Sequence, residues 1–184
     1  MQAGAELLAE TGIERISTNL VAARAGVTPP VFYKHFKDKY DLLAALGDAL
    51  MEAQNEILYR WLERHQHADF EAFLSTHDEF MLHSIELTAA SPGSIWVLRA
   101  LRAVPSLSEV RIKSHETVTD RLLAGLTRLF PDKDPRELRL RARIAVEAGY
   151  SVIEMALEYP DMDRRKLCST LSDIWRGGLL YGVA

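Results

Sequence analysis

The chain has 184 residues, 48% hydrophobic and 26% charged, with a formal net charge of −4 and a single cysteine, Cys168. These figures fit one large domain, or a small domain joined to a larger one, with an ordinary globular core; they argue against a disordered chain, an intrachain disulfide and a multi-cysteine metal site. No apolar run is long enough to span a bilayer and the start, MQAGAELLAETG, lacks the basic and apolar regions of a secretory signal, so the expected location is the cytoplasm and no membrane partner is expected.

In chain order, nearly every long segment places apolar residues three and four apart, and β-branched alternation is scarce, which predicts an all-α fold. The first periodic stretch, Ala3 to Glu10, turns Leu7 and Leu8 inward and stops at Gly12. Ser17 or Thr18 caps a second helix reaching Ala25, and Gly26 supplies the positive φ of a tight turn. Thr28 is placed to cap a third helix that opens with Pro29 and Pro30, where the missing amides would have had no partner within the helix. Because a residue before proline avoids the α region, the helix can instead start at Pro30. Asp38 caps a fourth helix expected from Lys39 to about Arg64. Five more are expected at Asp69–Ala89, Gly93–Arg102, Ser108–Leu129, Pro135–Glu158 and Arg164–Tyr181, separated by proline-containing breaks.

The third helix carries the clearest chemistry. At about 100° per residue, Phe32 and Phe36 share one face, which docks the helix, while Pro30, Tyr33, Lys34 and Lys37 share the opposite one. Helix, glycine turn and short second helix make a helix-turn-helix, whose second helix enters the major groove of DNA. The net charge speaks against a nucleic-acid partner, but acids and bases balance up to Leu46 and the bases concentrate between Lys34 and Lys39. Lys34, Lys37 and Lys39 suit phosphates, with amides at the start of the fourth helix as further donors. Tyr33 offers a hydroxyl to phosphate, and Thr28, Pro29 and Pro30 suit thymine methyl groups. Ser17 and Thr18, at the start of the second helix, complete the candidate DNA-binding set with His35.

On A-E-L-L-A-E-T-G at residues 5–12, V-A-A-R-A-G-V-T at 21–28 and V-F-Y-K-H-F-K-D-K-Y-D-L-L at 31–43, the chain resembles the TetR family of transcriptional regulators. The resemblance spans the first ~45 residues. It implies phosphate contacts from Tyr33, His35 and Lys39, an approach to bases by Thr28 to Pro30, and no catalytic activity or cofactor. It also implies a basic arm and another helical turn ahead of Met1. Pro29 and Pro30 depart from the family pattern, which often has a polar or basic residue and a glycine there.

The resemblance further implies a division into 1–45, the DNA-binding domain, and 46–184, a helical ligand-binding and dimerisation domain. The expected function is a repressor of a double-stranded DNA operator, released by a small-molecule effector, acting as a homodimer through its last two helices. Ala145, Ala148, Gly149 and Val152, and Trp175, Gly178, Leu179 and Gly182, provide faces for close packing. Candidate walls of the effector pocket are Phe73, His77, Phe80, Met81, Trp96 and Tyr150.

Other readings find less support. His65-x-His67-x-Asp69 lacks helical i, i+4 ligand spacing, so no metal is expected, and Ser, His and Asp residues are scattered without a nucleophile elbow. One rival is a ligand-sensing helical protein that has lost DNA binding. The other is a small all-α enzyme dependent on His77, His83 or His115.

Overall fold

The computed structural model describes residues 1–180. Their fold is all-α: α1 (Gln2–Arg15), α2 (Thr18–Arg24), α3 (Pro29–Tyr33), α4 (Lys39–Arg64), α5 (Phe70–Ser75), α6 (His77–Ala90), α7 (Ser94–Ala103), α8 (Ser108–Leu129), α9 (Pro135–Glu158) and α10 (Arg164–Leu180), with a 3₁₀ turn at Pro105–Leu107. Short polar side chains start several of them. Ser17 Oγ accepts the amide of Leu20, Asp38 Oδ1 those of Tyr40 and Asp41, Asp69 Oδ1 that of Ala72, and Asp134 Oδ1 that of Arg136. Each bond satisfies an amide that the first helical turn leaves without a backbone partner.

Two boundaries differ from expectation. Helical backbone continues beyond Gly12 to Arg15, across a kink at that glycine. The helix expected over 69–89 is broken at Thr76, whose backbone sits at φ −110°, ψ 5°. There the Thr76 hydroxyl accepts the indole N–H of Trp61 at 2.9 Å and meets His65 Nε2 at 3.0 Å. The break lets α5 supply Phe73 and α6 supply His77 and Phe80 around one indole.

The described chain forms two compact units. The first combines Met1–Ala53 with Thr88–Lys113; the second takes Gln54–Leu87 and the chain from Ser114. In the first unit α7 packs on α1 so closely that a Cβ at Gly93 would stand 2.7 Å from the carbonyl oxygen of Ala5. Farther along in the same unit, Gly47 of α4 admits the side chain of Leu101, whose Cδ2 would stand 2.8 Å from an added Cβ. Leu8, Leu42, Leu43 and Leu101 are fully buried there.

The second unit is built around Trp61, which packs on Phe73 and Phe80 with ring centroids 4.3 and 4.8 Å apart. Across α8 and α9, Arg139 binds Glu116 and Asp120, and Arg143 binds Glu116 and Glu147. Such half-exposed pairs contribute little singly and act here as a lattice between two helices. Cys168 is buried in this unit, and burial pushes its thiol up to about 11.

Candidate nucleic-acid interface and cavity

The turn between α2 and α3 sets the candidate interface. Gly26 lies at φ 67°; its amide bonds Ala23 O at 3.1 Å, and the Val27 amide reaches back to Ala22 O at 3.0 Å. These two bonds close α2 with a left-handed residue that glycine adopts without steric cost. The chain then extends through Thr28 (φ −81°, ψ 153°), as a residue before proline must, and α3 starts at Pro29 rather than Pro30. Thr28 caps through its backbone: its carbonyl accepts the amides of Val31 and Phe32, while its side chain makes no capping bond.

Phe32 is buried and Phe36 half-buried, with ring centroids 5.4 Å apart, so the docking face is where the helical period places it. Thr28, Pro29, Pro30, Tyr33, Lys34, His35 and Lys37 are all exposed, whereas Lys39 is half-buried with Nζ 5.4 Å from the Tyr40 ring centroid. Tyr33 Oη and Thr18 Oγ1 are 3.0 Å apart, which ties the start of α2 to the end of α3 and places two hydroxyls side by side. Ser17, in contrast, uses its hydroxyl as the α2 cap.

The start of α4 differs from the phosphate site anticipated there. Asp38 already accepts the amides of Tyr40 and Asp41, and Asp41 accepts that of Lys37. A phosphate at this point competes with two carboxylates, so the side chains are the stronger donors. Leu20 of α2, Val27 of the turn and Tyr40 of α4 are exposed as well, and sequence reasoning passed over them. The signal was an apolar or aromatic residue outside the packing period.

Within the second unit, α4, α6, α8, α9 and α10 enclose a narrow cavity of about 50 Å³. Gln54, Asn55 and Leu58 line it from α4, Phe80, Met81 and Ser84 from α6, Val118 and Leu122 from α8, Ala145, Gly149 and Tyr150 from α9, and Trp175 from α10. No charged side chain is among its lining residues. At its polar end the Tyr150 hydroxyl donates to Asn55 Oδ1 at 3.0 Å, and Asn55 Nδ2 donates to Ser114 Oγ at 3.0 Å. Tyr150 stacks on His115, centroids 4.0 Å apart, and His115 Nδ1 meets Glu147 Oε1 at 2.9 Å. Burial pushes the Tyr150 phenol up to about 12, so it stays protonated at neutral pH.

Of the six expected pocket walls, the structure brings Phe80, Met81 and Tyr150 to this cavity. Phe73 packs against Trp61 and borders a separate cleft with Tyr59 and Arg121. His77 is fully buried, tilted against Trp175 with ring centroids 4.3 Å apart and Nδ1 2.7 Å from Ser172 Oγ; desolvation pushes its imidazole down to about 3. Trp96 belongs to the first unit, where its ring lies over Gly12 and under Arg99. A large aromatic residue signals burial in any core, so the sequence alone does not separate the residues that line this cavity from those that do not. Gln54 and Asn55 carried a better signal, as amides interrupting the apolar face of α4.

His65 offers no vacant nitrogen to a metal, since Nδ1 faces Trp61 O at 2.7 Å and Nε2 faces Thr76 Oγ1. Among the described residues no group of three or more His, Cys, Asp and Glu is arranged to hold a metal ion, and no helix is long and apolar enough to cross a membrane.

Comparison with known proteins agrees with this geometry. Residues 1–46 match the bacterial regulatory proteins of the tetR family. The chain is 46% identical over 46 residues to the class C tetracycline repressor protein of Escherichia coli, a match covering 25% of this chain and 21% of that repressor. A tetR-family transcriptional regulator from Streptomyces coelicolor has a similar fold, with a TM-score of 0.72, 20% identity, and coverage of 99% of this chain and 78% of that one. The SmeT–triclosan complex is similar as well, with a TM-score of 0.68, 20% identity, and coverage of 98% and 88%. Residues 1–46 thus match the bacterial regulatory proteins of the tetR family, and the fold of the chain is similar to that of solved tetR-family transcriptional regulators.

Proposed function

We propose that the chain is a sequence-specific DNA-binding transcriptional regulator of the cytoplasm, a homodimeric repressor released by a small effector, and not an enzyme. The observation that carries this reading is the exposed surface of α3 and its flanks, with hydroxyls at Thr28 and Tyr33, the half-buried Thr18 of α2 beside Tyr33, and bases at Lys34 and Lys37, held outward by the buried Phe32. Phosphates are met by Tyr33, Lys34, His35, Lys37 and Lys39, and base edges by Thr28, Pro29 and Pro30.

Two tests on one DNA assay separate these roles. Tyr33→Phe and Lys34→Ala weaken operator and non-operator DNA alike, and removal of the lysine lowers the slope of log affinity against log salt by about 0.9. Substituting alanine for Pro29 changes the sequence preference recovered from a random duplex library. A uniform loss across all sequences for the proline variant, or a salt slope near zero for the unaltered protein, overturns the assignment.

The dimer is proposed from α9 and α10. Leu140, Ile144 and Ile174 are each more than 60% exposed, an arrangement that a lone soluble subunit rarely leaves uncovered. Ala145 and Gly149 line the cavity, so the pairing face of α9 runs through Leu140 and Ile144 instead; Gly182 lies outside the described residues. Two-fold pairing doubles the operator contacted. Ile144→Glu is expected to give a monomer in sedimentation and to lose symmetric-site binding while retaining non-specific DNA affinity; an unaltered dimer refutes this seam.

Release follows from linkage. The effector binds the second-unit cavity and favours a conformation unable to place two α3 helices in successive major grooves. The triclosan bound by SmeT supports a small-molecule ligand for this fold. Because α4 is one continuous helix carrying both Lys39 and Asn55, it is the element through which the two equilibria are joined. Tenfold release requires about 1.4 kcal/mol of differential affinity.

A further inference from the structure

We propose that Trp175 reads the effector: its indole N–H donates a hydrogen bond to an acceptor oxygen on an uncharged, planar aromatic ligand held in the cavity. This inference rests on the cavity being the effector site. Its lining holds no charged side chain, so an ionised ligand would surrender its hydration for no counter-charge. The available polar groups are neutral, and most are already engaged. Asn55 Oδ1 takes the Tyr150 proton, and Asn55 Nδ2 serves Ser114. Among the described residues two atoms of the lining are left without a hydrogen bond, the acceptor Gln54 Oε1 and the donor Trp175 Nε1, and Trp175 is the donor. It is 95% buried, it walls the cavity from α10, and its Nε1 has no acceptor among the described residues.

A buried donor without a partner is costly, and a ligand supplying the acceptor gains accordingly. The ring is braced from behind by His77, which Ser172 holds through Nδ1, so the N–H is presented in one orientation. The acceptor this donor selects is a carbonyl or ether oxygen, and the flat face of the indole favours an aromatic body beside it. Size adds a second condition. An engineered apolar cavity of about 150 Å³ holds one benzene ring, whereas this one measures about 50 Å³. Admitting a ring therefore displaces a wall side chain, which is the differential contact that effector release needs.

The test uses three matched probes on the full chain without DNA: acetophenone, a neutral ring with an acceptor; ethylbenzene, similar in shape without one; and benzoate, a charged acceptor. The three tryptophans give three indole N–H signals in a ¹⁵N-correlated spectrum. That of Trp175 is identified by its loss in Trp175→Phe or, should that variant not fold, by elimination from Trp61→Phe and Trp96→Phe. Expected are a downfield shift of the Trp175 proton with acetophenone alone, an affinity for acetophenone about fivefold above that for ethylbenzene, loss of that preference in Trp175→Phe, and no binding of benzoate in the cavity. An unmoved Trp175 signal, equal affinities for the first two probes, benzoate bound with the same shift, or no probe bound at all each overturn the proposal. The salt dependence of DNA binding, measured on the same protein without probe, reports separately on the regulator reading.

Discussion

Gly93→Ala is expected to lower stability by about 3 kcal/mol or more, combining a left-handed backbone forced on an L-residue with a steric clash. At φ 70° the residue starts α7, and its Cβ would stand 2.7 Å from a backbone oxygen of α1 and 3.2 Å from Leu8 Cβ. Neither neighbour is the free end of a flexible side chain, so α1 and α7 must part. Gly26→Ala is the control, because Gly26 has nearly the same φ (67°) but nothing within 4 Å of the added Cβ. Its loss is expected to stay at about 1–2 kcal/mol, the conformational cost alone. Urea unfolding of the two variants checks the difference, and equal losses would remove the close-contact argument.

Trp61→Ala is expected to cost about 3–5 kcal/mol, the range for deleting a large aromatic residue from a packed core. Trp61 is 1% exposed and sits among Phe73, Phe80, His77 and His65. Its removal also leaves the Thr76 hydroxyl without the indole donor that accompanies the break between α5 and α6. Trp61→Phe keeps part of the packing and is expected to cost less than half as much. Chemical denaturation measures both, and a loss below about 1 kcal/mol for the alanine variant would contradict the central position of Trp61.

Much of the first unit was legible because its signals are local. Ser17, Gly26, the two prolines and Asp38 each act on backbone within three or four residues, so α2, α3 and the start of α4 lie close to where those residues place them. The partner of α1 was not legible in the same way. That α7 packs there depends on the absence of a side chain at Gly93, a fact about space that no periodicity encodes. Thr76 is similar, since its role depends on an indole fifteen residues earlier in the chain. The cavity was half legible: Phe80, Met81 and Tyr150 are there, but whether an aromatic ring faces a hollow or fills one is decided by its neighbours on other helices.

The paired prolines at the head of α3 have a consequence for the heat and speed of the DNA binding proposed above. A five-residue helix has no stability of its own, since its nucleation cost is barely recovered over so short a length. Here Pro29 and Pro30 remove backbone freedom before folding begins, and Phe32 anchors what remains. In the regulator proposed above, such a segment would meet the groove already ordered, and the entropy of fixing it, about 1–2 kcal/mol per residue, would not fall on the encounter with DNA. Association should proceed at rates set by diffusion and charge steering, without the large negative heat-capacity change of a segment that folds on its target.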